Sequence, residues 1–196
     1  MEANAGRTRF ALLGESLALE LANTGPASTE DGGPDLLTDP GDAVRWLEAE
    51  GFTAGEDPDL ALAELLALRE AVRGTAELTL AERRPSAEFL QTLNEFAGRR
   101  PTTPIIRYRR GGLETVENLS GTALDDALGR IARDAARLLG GPNASRIKKC
   151  EGPGCQLLFR ADNSRRRWCS PQRCGNRVRV ARHYRRSRGG RAVGVS

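Results

Sequence analysis

Every cysteine of the chain falls in one stretch of 25 residues, CEGPGCQLLFRADNSRRRWCSPQRC, at Cys150, Cys155, Cys169 and Cys174. The spacing is two pairs, each with four residues between its thiols, joined by a connector of 13. Two short knuckles on a longer connector are a usual way to set four thiolates around a tetrahedral Zn²⁺. Each knuckle needs a tight turn, and Gly152, Pro153, Gly154 and Pro171 supply turn residues inside them. Four thiolates leave no open coordination position, so the expected zinc is structural, not catalytic. The same donors could hold an iron–sulfur cluster or act as redox dithiols. Disulfides would need an oxidising compartment, and the start MEANAGRTRF shows no positive-then-apolar leader. The expectation is a soluble, cytoplasmic protein, with no membrane partner because no stretch nears the length of a spanning helix.

The cysteines sit in a strongly cationic region. From Ser145 to Ser196 there are fifteen Lys and Arg against two acids, a net of +13. The whole chain of 196 residues nets only +4, which leaves −9 for residues 1–144. Such a split suggests an acidic body that carries a module for a polyanion. A segment of some 40 residues buries too little apolar surface to fold by itself, and a bound metal would give it shape. A clasp of the basic segment onto the chain's own acidic body is a further expectation of the charge pattern.

Periodicity divides the rest. FALLGESLALELANTG reads as a buried strand or short helix, and DPGDAVRWLEAEG as a helix capped by Asp42 with Val44, Trp46 and Leu47 inward. A long helix opens at Asp59, with Leu62, Leu65, Leu66, Arg69 and Val72 at helical spacing, Leu60 and Leu68 widening the stripe, and Gly74 and Thr75 weakening its later half. Ser86 caps a third helix that turns Phe89, Leu90, Leu93 and Phe96 inward. A β-hairpin over Ile105–Arg109 and Leu113–Leu119 turns at Gly111-Gly112. The clearest helix follows, with Leu124, Leu128, Ile131, Ala135, Leu138 and Leu139 in line, and GGPNAS ends it. The fold class is α+β: a helix-rich N-terminal domain with a small hairpin over 1–144, a four-cysteine zinc finger with a basic helix over 145–188, and a disordered tail over 189–196. Residues 1–8 are expected to be disordered as well.

Arginine's planar fork fits phosphate oxygens and pairs bidentately with guanine. Arg165, Arg166 and Arg167 on the connector, and Arg173, Arg177, Arg179, Arg182, Arg185 and Arg186 around the last knuckle and its helix, are the expected contacts to double-stranded DNA. Val178, Ala181 and Tyr184 would face the zinc module. His183, the one histidine, is a helix-face residue or a phosphate contact. Catalysis has little to work with: no thiol lies outside the cluster, no phosphate-binding glycine loop is present, and Asp125-Asp126 sit where they favour a helix dipole. The chain reads as a non-enzyme.

The stretch RRRWCSPQRCGNRVRVARHYRR resembles the CGNR zinc finger, whose naming motif is matched by Cys174, Gly175, Asn176 and Arg177. LALELANTG followed by DLLTDPGDAVRWLEAEG is similar to the start of the ABATE domain, which generally precedes that finger in bacterial proteins described as stress-induced transcription regulators. Glu20-Leu21-Ala22 stands where that pattern more often has an acidic–aromatic pair before Asn-Thr. The resemblance implies zinc at the four cysteines and DNA binding by the finger. The N-terminal domain is then expected to sense a small-molecule effector, with Asn23 and Thr24 as its pocket, or to form a homodimer; a turn cap is the plain alternative for those two residues. An RNA- or ribosome-associated module, or a zinc-held protein adaptor, is the alternative to a DNA-binding regulator. The finger is also expected to fold independently of the body, so that loss of Cys174 spares residues 1–144.

Overall fold

The computed structural model describes residues 10, 12–26, 33–99, 103–118 and 121–189. Residues 1–8, and all of the expected tail except Gly189, lie outside them.

Among the described residues, five helices and a hairpin make the body. The order is α1 (Leu17–Ala22), α2 (Pro40–Ala49), α3 (Pro58–Leu80), α4 (Ala87–Ala97), β1 (Thr103–Arg109), β2 (Gly112–Asn118) and α5 (Ala123–Leu139). Then come β3 (Ile147–Lys149), β4 (Leu158–Arg160) and α6 (Asn176–Gly189). Both sheets are antiparallel pairs, β1 with β2 and β3 with β4.

Side-chain caps set the helix starts. Asp39, not Asp42, caps α2: its carboxylate accepts the Asp42 amide at 2.9 Å and Pro40 takes the first position. Asp42 instead accepts the Thr38 amide and hydroxyl and an Arg45 guanidinium N–H from a fully buried position. Asp57, with Pro58 behind it, opens α3 two residues before the expected Asp59. Ser86 caps α4, and Thr122 with Asp125 forms a capping box on α5. That box gives Asp125 its place at the helix start.

Short α1 is the centre of the body. Ala18 through Ala22 are all buried, and α3 and α5 pack on it from two sides while β4 approaches from a third. Ser16 offers α1 no side-chain cap, but Asp134 of α5 reaches across to accept the Ala18 amide at 3.0 Å. Leu65, Leu68 and Val72 of α3 and Leu124, Leu128, Ile131 and Leu138 of α5 fill the core as their spacing requires. Leu60 and Leu90 lie toward solvent instead, at the margins of their stripes.

Gly74 does not weaken α3, which continues to Leu80. A Cβ there would stand 2.2 Å from the Phe89 ring, so the glycine is the seat for an α4 aromatic. The hairpin turns on Arg110 and Gly111, both with positive φ, one residue earlier than Gly111-Gly112. Its outer face carries Ile106, Tyr108 and Leu113 at 72–75% exposure.

The finger does not stand apart from this core. Ile147 of β3 and Leu158 of β4 belong to the body's apolar cluster, while Leu157, Phe159, Ala161 and the four cysteines form a second, smaller one. Alternation along β4 therefore sends one face to each cluster. The expected independence of the finger does not match this packing, because its hairpin supplies part of the body's interior.

Among the described residues, one half-buried acid has a carboxylate oxygen without a donor. Glu50, at the C-terminal end of α2, holds Oε1 out of water without a donor. Burial, and then the charge of Glu20, raise its pKa to about 7. Between the ordinary carboxylate range and about pH 7 the folded chain keeps a proton that the unfolded chain has released, so stability falls as pH rises through that window. Glu50→Gln is expected to match the parent near pH 4 and to exceed it near pH 8 by about 1–2 kcal/mol, allowing for its partial exposure. Denaturant unfolding at the two pH values measures this.

Candidate metal centre and nucleic-acid interface

The β3–β4 hairpin presents the first cysteine pair. Cys150 follows β3 directly and Cys155 precedes β4, so the hairpin's loop is the first knuckle. The Cys155 amide donates to Gly152 O at 2.9 Å, and Gly154 takes a positive φ to close the turn. Gly152 admits no side chain: a Cβ there would lie 2.9 Å from Cys174 Sγ and 3.0 Å from Cys174 Cβ.

The second pair is built at the foot of α6. Ser170 caps a single π-helical turn, Pro171–Gly175, its hydroxyl accepting the Arg173 amide at 3.1 Å. Its carbonyl accepts the amides of Cys174 and Gly175. Cys169 and Cys174 are thereby set at the two ends of this turn.

All four thiols are buried, and their sulfurs lie within 4.8 Å of one another. Cys169 Sγ and Cys174 Sγ are 3.7 Å apart. A Zn–S bond of about 2.3 Å in tetrahedral geometry gives an S···S edge of about 3.8 Å. Backbone amides already point at the sulfur of Cys150, from Gly152 at 3.4 Å and from Cys169 at 3.2 Å. The Arg177 guanidinium donates to Cys174 Sγ at 3.5 Å and to Pro153 O at 2.9 Å, tying one knuckle to the other.

The thiols also titrate as a set that wants a cation. Hydrogen bonds from Cys155 and Cys169 hold the Cys150 thiol far below its ordinary value. The interaction with Cys150 pushes Cys155 up to about 11, and drives Cys169 far upward. One negative charge is accommodated and its neighbours resist a second, which is the problem a divalent ion resolves. The donor set fits one structural zinc ion, which when bound supplies folding free energy to the module.

Arginines divide by employment. Arg166 is turned inward, its side chain 24% exposed. It meets Glu15 Oε1 at 2.7 Å, where the carboxylate is 6% exposed. It donates also to the carbonyls of Arg160, Trp168 and Cys169 and lies over the Phe159 ring at 4.6 Å. Arg167 pairs with Glu151 and covers Trp168, which packs against the cysteine cluster as a lid. Arg166 is thus committed inside the module, and exposed Arg177 is engaged by the two knuckles, though the sequence groups both with the outward arginines. Arg165, Arg173 and Arg179 are exposed and make no ion pair among the described residues. Arg182, Arg185 and Arg186 lie on α6, with side chains outside the described part. Val178 is half-buried, but Ala181 and Tyr184 are exposed, so α6 packs through its first turn onto the π-helical turn and then projects. His183 is exposed, its ring edge-on to Tyr184.

Asn23 and Thr24 are buried at the end of α1. The Asn23 amide donates to Leu158 O at 2.9 Å and accepts the Leu158 amide at 2.8 Å, so one side chain pairs with β4 as a neighbouring strand would. Thr24 bonds Leu21 O and receives Arg69 at 3.3 Å. Arg73 of α3 adds a bridge, donating to Ala22 O and to Gln156 O at 3.1 Å each. Glu15, Asn23 and Arg73 are the residues that dock finger and body. Sequence reasoning missed Glu15 and Arg73 in this role, since nothing in their spacing points across more than 80 residues.

Compared with known protein families, residues 15–142 match the ABATE model, described as "Putative stress-induced transcription regulator". Residues 146–187 match the CGNR zinc finger. No curated protein matches the chain. No helix among the described residues is long and apolar enough to cross a membrane.

Three outcomes are expected at this centre. Asn23→Ala leaves the β4 amide and carbonyl buried without partners and should cost about 2–4 kcal/mol. Chelation should then lower the melting of the helical body as well as the finger, read by far-ultraviolet circular dichroism; a body transition indifferent to chelator would contradict the shared core. Gly152→Val should drive the metal content well below the one zinc per chain expected of the parent, measured by elemental analysis of reduced protein.

Proposed function

Because the chain belongs to the ABATE family and carries a CGNR zinc finger at residues 146–187, we propose that it is a DNA-binding transcription regulator, with the finger as its duplex-binding module. The observation that carries this reading is the surface left over once the internal contacts are subtracted. Arg165, Arg173 and Arg179 remain exposed on a module whose fold is fixed by the cysteine centre. From Asn176 to Gly189, α6 holds six arginines and no acid. A cationic helix that projects from a rigid base can reach phosphates or enter a major groove.

The body takes the sensing or dimerising part. Its acidic charge makes it a poor DNA surface, while α1 touches β4 directly. Any signal that shifts α1 is felt by the finger through Asn23 and through the Glu15–Arg166 pair. That contact gives an effector bound in the body, or a second copy on it, a physical route to the DNA-binding surface.

Zinc-loaded protein is expected to shift duplex DNA in preference to structured RNA, with affinity that falls steeply between about 50 and 200 mM salt. Replacing Arg165, Arg173 and Arg179 together by Ala should flatten the log–log salt slope by about 2.7, near 0.9 for each phosphate no longer neutralised. Arg166→Ala should instead lower stability by about 3 kcal/mol, because Glu15 is left buried and unpaired. Preference for RNA, or no binding to either, would overturn the reading.

A further inference from the structure

At the end of the β3–β4 hairpin opposite the cysteine knuckle lies a notch of about 280 Å³, lined by Ser145, Arg146, Lys148, Ala161, Asp162, Asn163 and Ser164. From the cations and hydroxyls gathered there we infer that it seats a phosphate of the DNA backbone. The inference rests on the reading of the finger as a DNA-binding module and extends its contact surface to residues beyond the arginine-rich connector and helix.

The donors come from two segments that the strand pairing holds face to face. The Ala161 amide donates to Arg146 O at 2.8 Å, which fixes the separation of the two rims. On one rim, Ser145 and Arg146 are exposed, and Arg146 makes no ion pair among the described residues. Lys148 is half-buried, its ammonium lodged across the notch on Ser164 O at 3.2 Å with two further N–H groups to give.

On the other rim, Asn163 Oδ1 accepts the amides of Arg165 and Arg166 at 3.0 and 3.1 Å. With its oxygen so used, the Asn163 side chain has its NH₂ to present. The same turn brings the backbone of exposed Arg165 onto Asn163, so the connector arginines begin directly after the notch in the chain.

One acid shares the site. The Asp162 carboxylate is 71% exposed and lies 3.6 Å from Arg166 Nη1, whose charge is already engaged by Glu15, so Asp162 stays a repulsive group at the rim that removal of its charge would relieve. Two cations, two hydroxyls and an amide around a small opening are the donor set that phosphate oxygens take up, and a contact of this kind positions the duplex without reading its sequence.

The test uses the full zinc-loaded chain and a duplex fragment. The Arg146→Gln/Lys148→Gln double variant should bind with a salt slope flatter by about 1.8, so that raising salt from about 50 to 200 mM costs it roughly tenfold less affinity than it costs the parent. Sequence preference and metal content should stay as in the parent. Asp162→Asn should raise affinity several-fold at low salt. A parental slope in the double variant, alongside a flattened slope on removal of Arg165, Arg173 and Arg179, overturns the notch and leaves the DNA reading standing. Should the double variant lose its metal, Asp162→Asn decides, and unchanged affinity there overturns the notch. A parent that binds no duplex removes both.

Discussion

Convergence of four thiols on one point is the constraint from which the C-terminal module follows. It holds a hairpin loop and a π-helical turn together across the connector, and everything attached to them inherits that geometry. β4 is thereby presented to the body, and α6 is launched from a fixed base. Without that centre, residues 146–176 have too few apolar side chains to choose a shape. Even the second apolar cluster is more than half thiol: Cys150, Cys155, Cys169 and Cys174 are members beside Leu157, Phe159 and Ala161.

The same hairpin also belongs to the body. A strand only three residues long cannot stabilise much by backbone pairing, yet β4 is buried on both faces. Leu158 enters the body's core, Phe159 the finger's, and Asn23 occupies the strand's free edge with a side-chain amide. Arg166 closes the joint with a largely buried ion pair to Glu15 and a ring contact to Phe159. A buried pair of this kind contributes little net stability but penalises the loss of either partner, so it specifies one docking geometry over others. Charge asymmetry between body and tail thus has two physical uses: a small share holds the two together, and the remainder faces solvent.

Arginine-rich segments are easily read as uniform. Here position decides use. Arg166 and Arg177 satisfy carbonyls, sulfur and a buried acid, Arg167 meets Glu151, and Arg165, Arg173 and Arg179 are left outward. The connector triplet therefore has different neighbours at each of its three positions, because a turn centred on Asn163 rotates successive side chains in different directions.

Much of this was legible in the residues alone. Cysteine spacing determined the donor set, and apolar periodicity determined α3, α4 and α5, because both depend on separations along the chain that local geometry preserves. Helix starts were less legible: Asp39 and Asp57 cap where Asp42 and Asp59 looked as suitable, and only the local hydrogen bonds distinguish such neighbours. Gly74 looked like a defect until Phe89 was seen to rest on it. What tertiary structure alone decided is which polar residues meet across long separations: Asn23 with Leu158, Glu15 with Arg166, Arg73 with Gln156. A side chain's hydrogen-bonding capacity is written in its identity, but the partner that satisfies it is chosen by packing, and packing is a property of the whole chain.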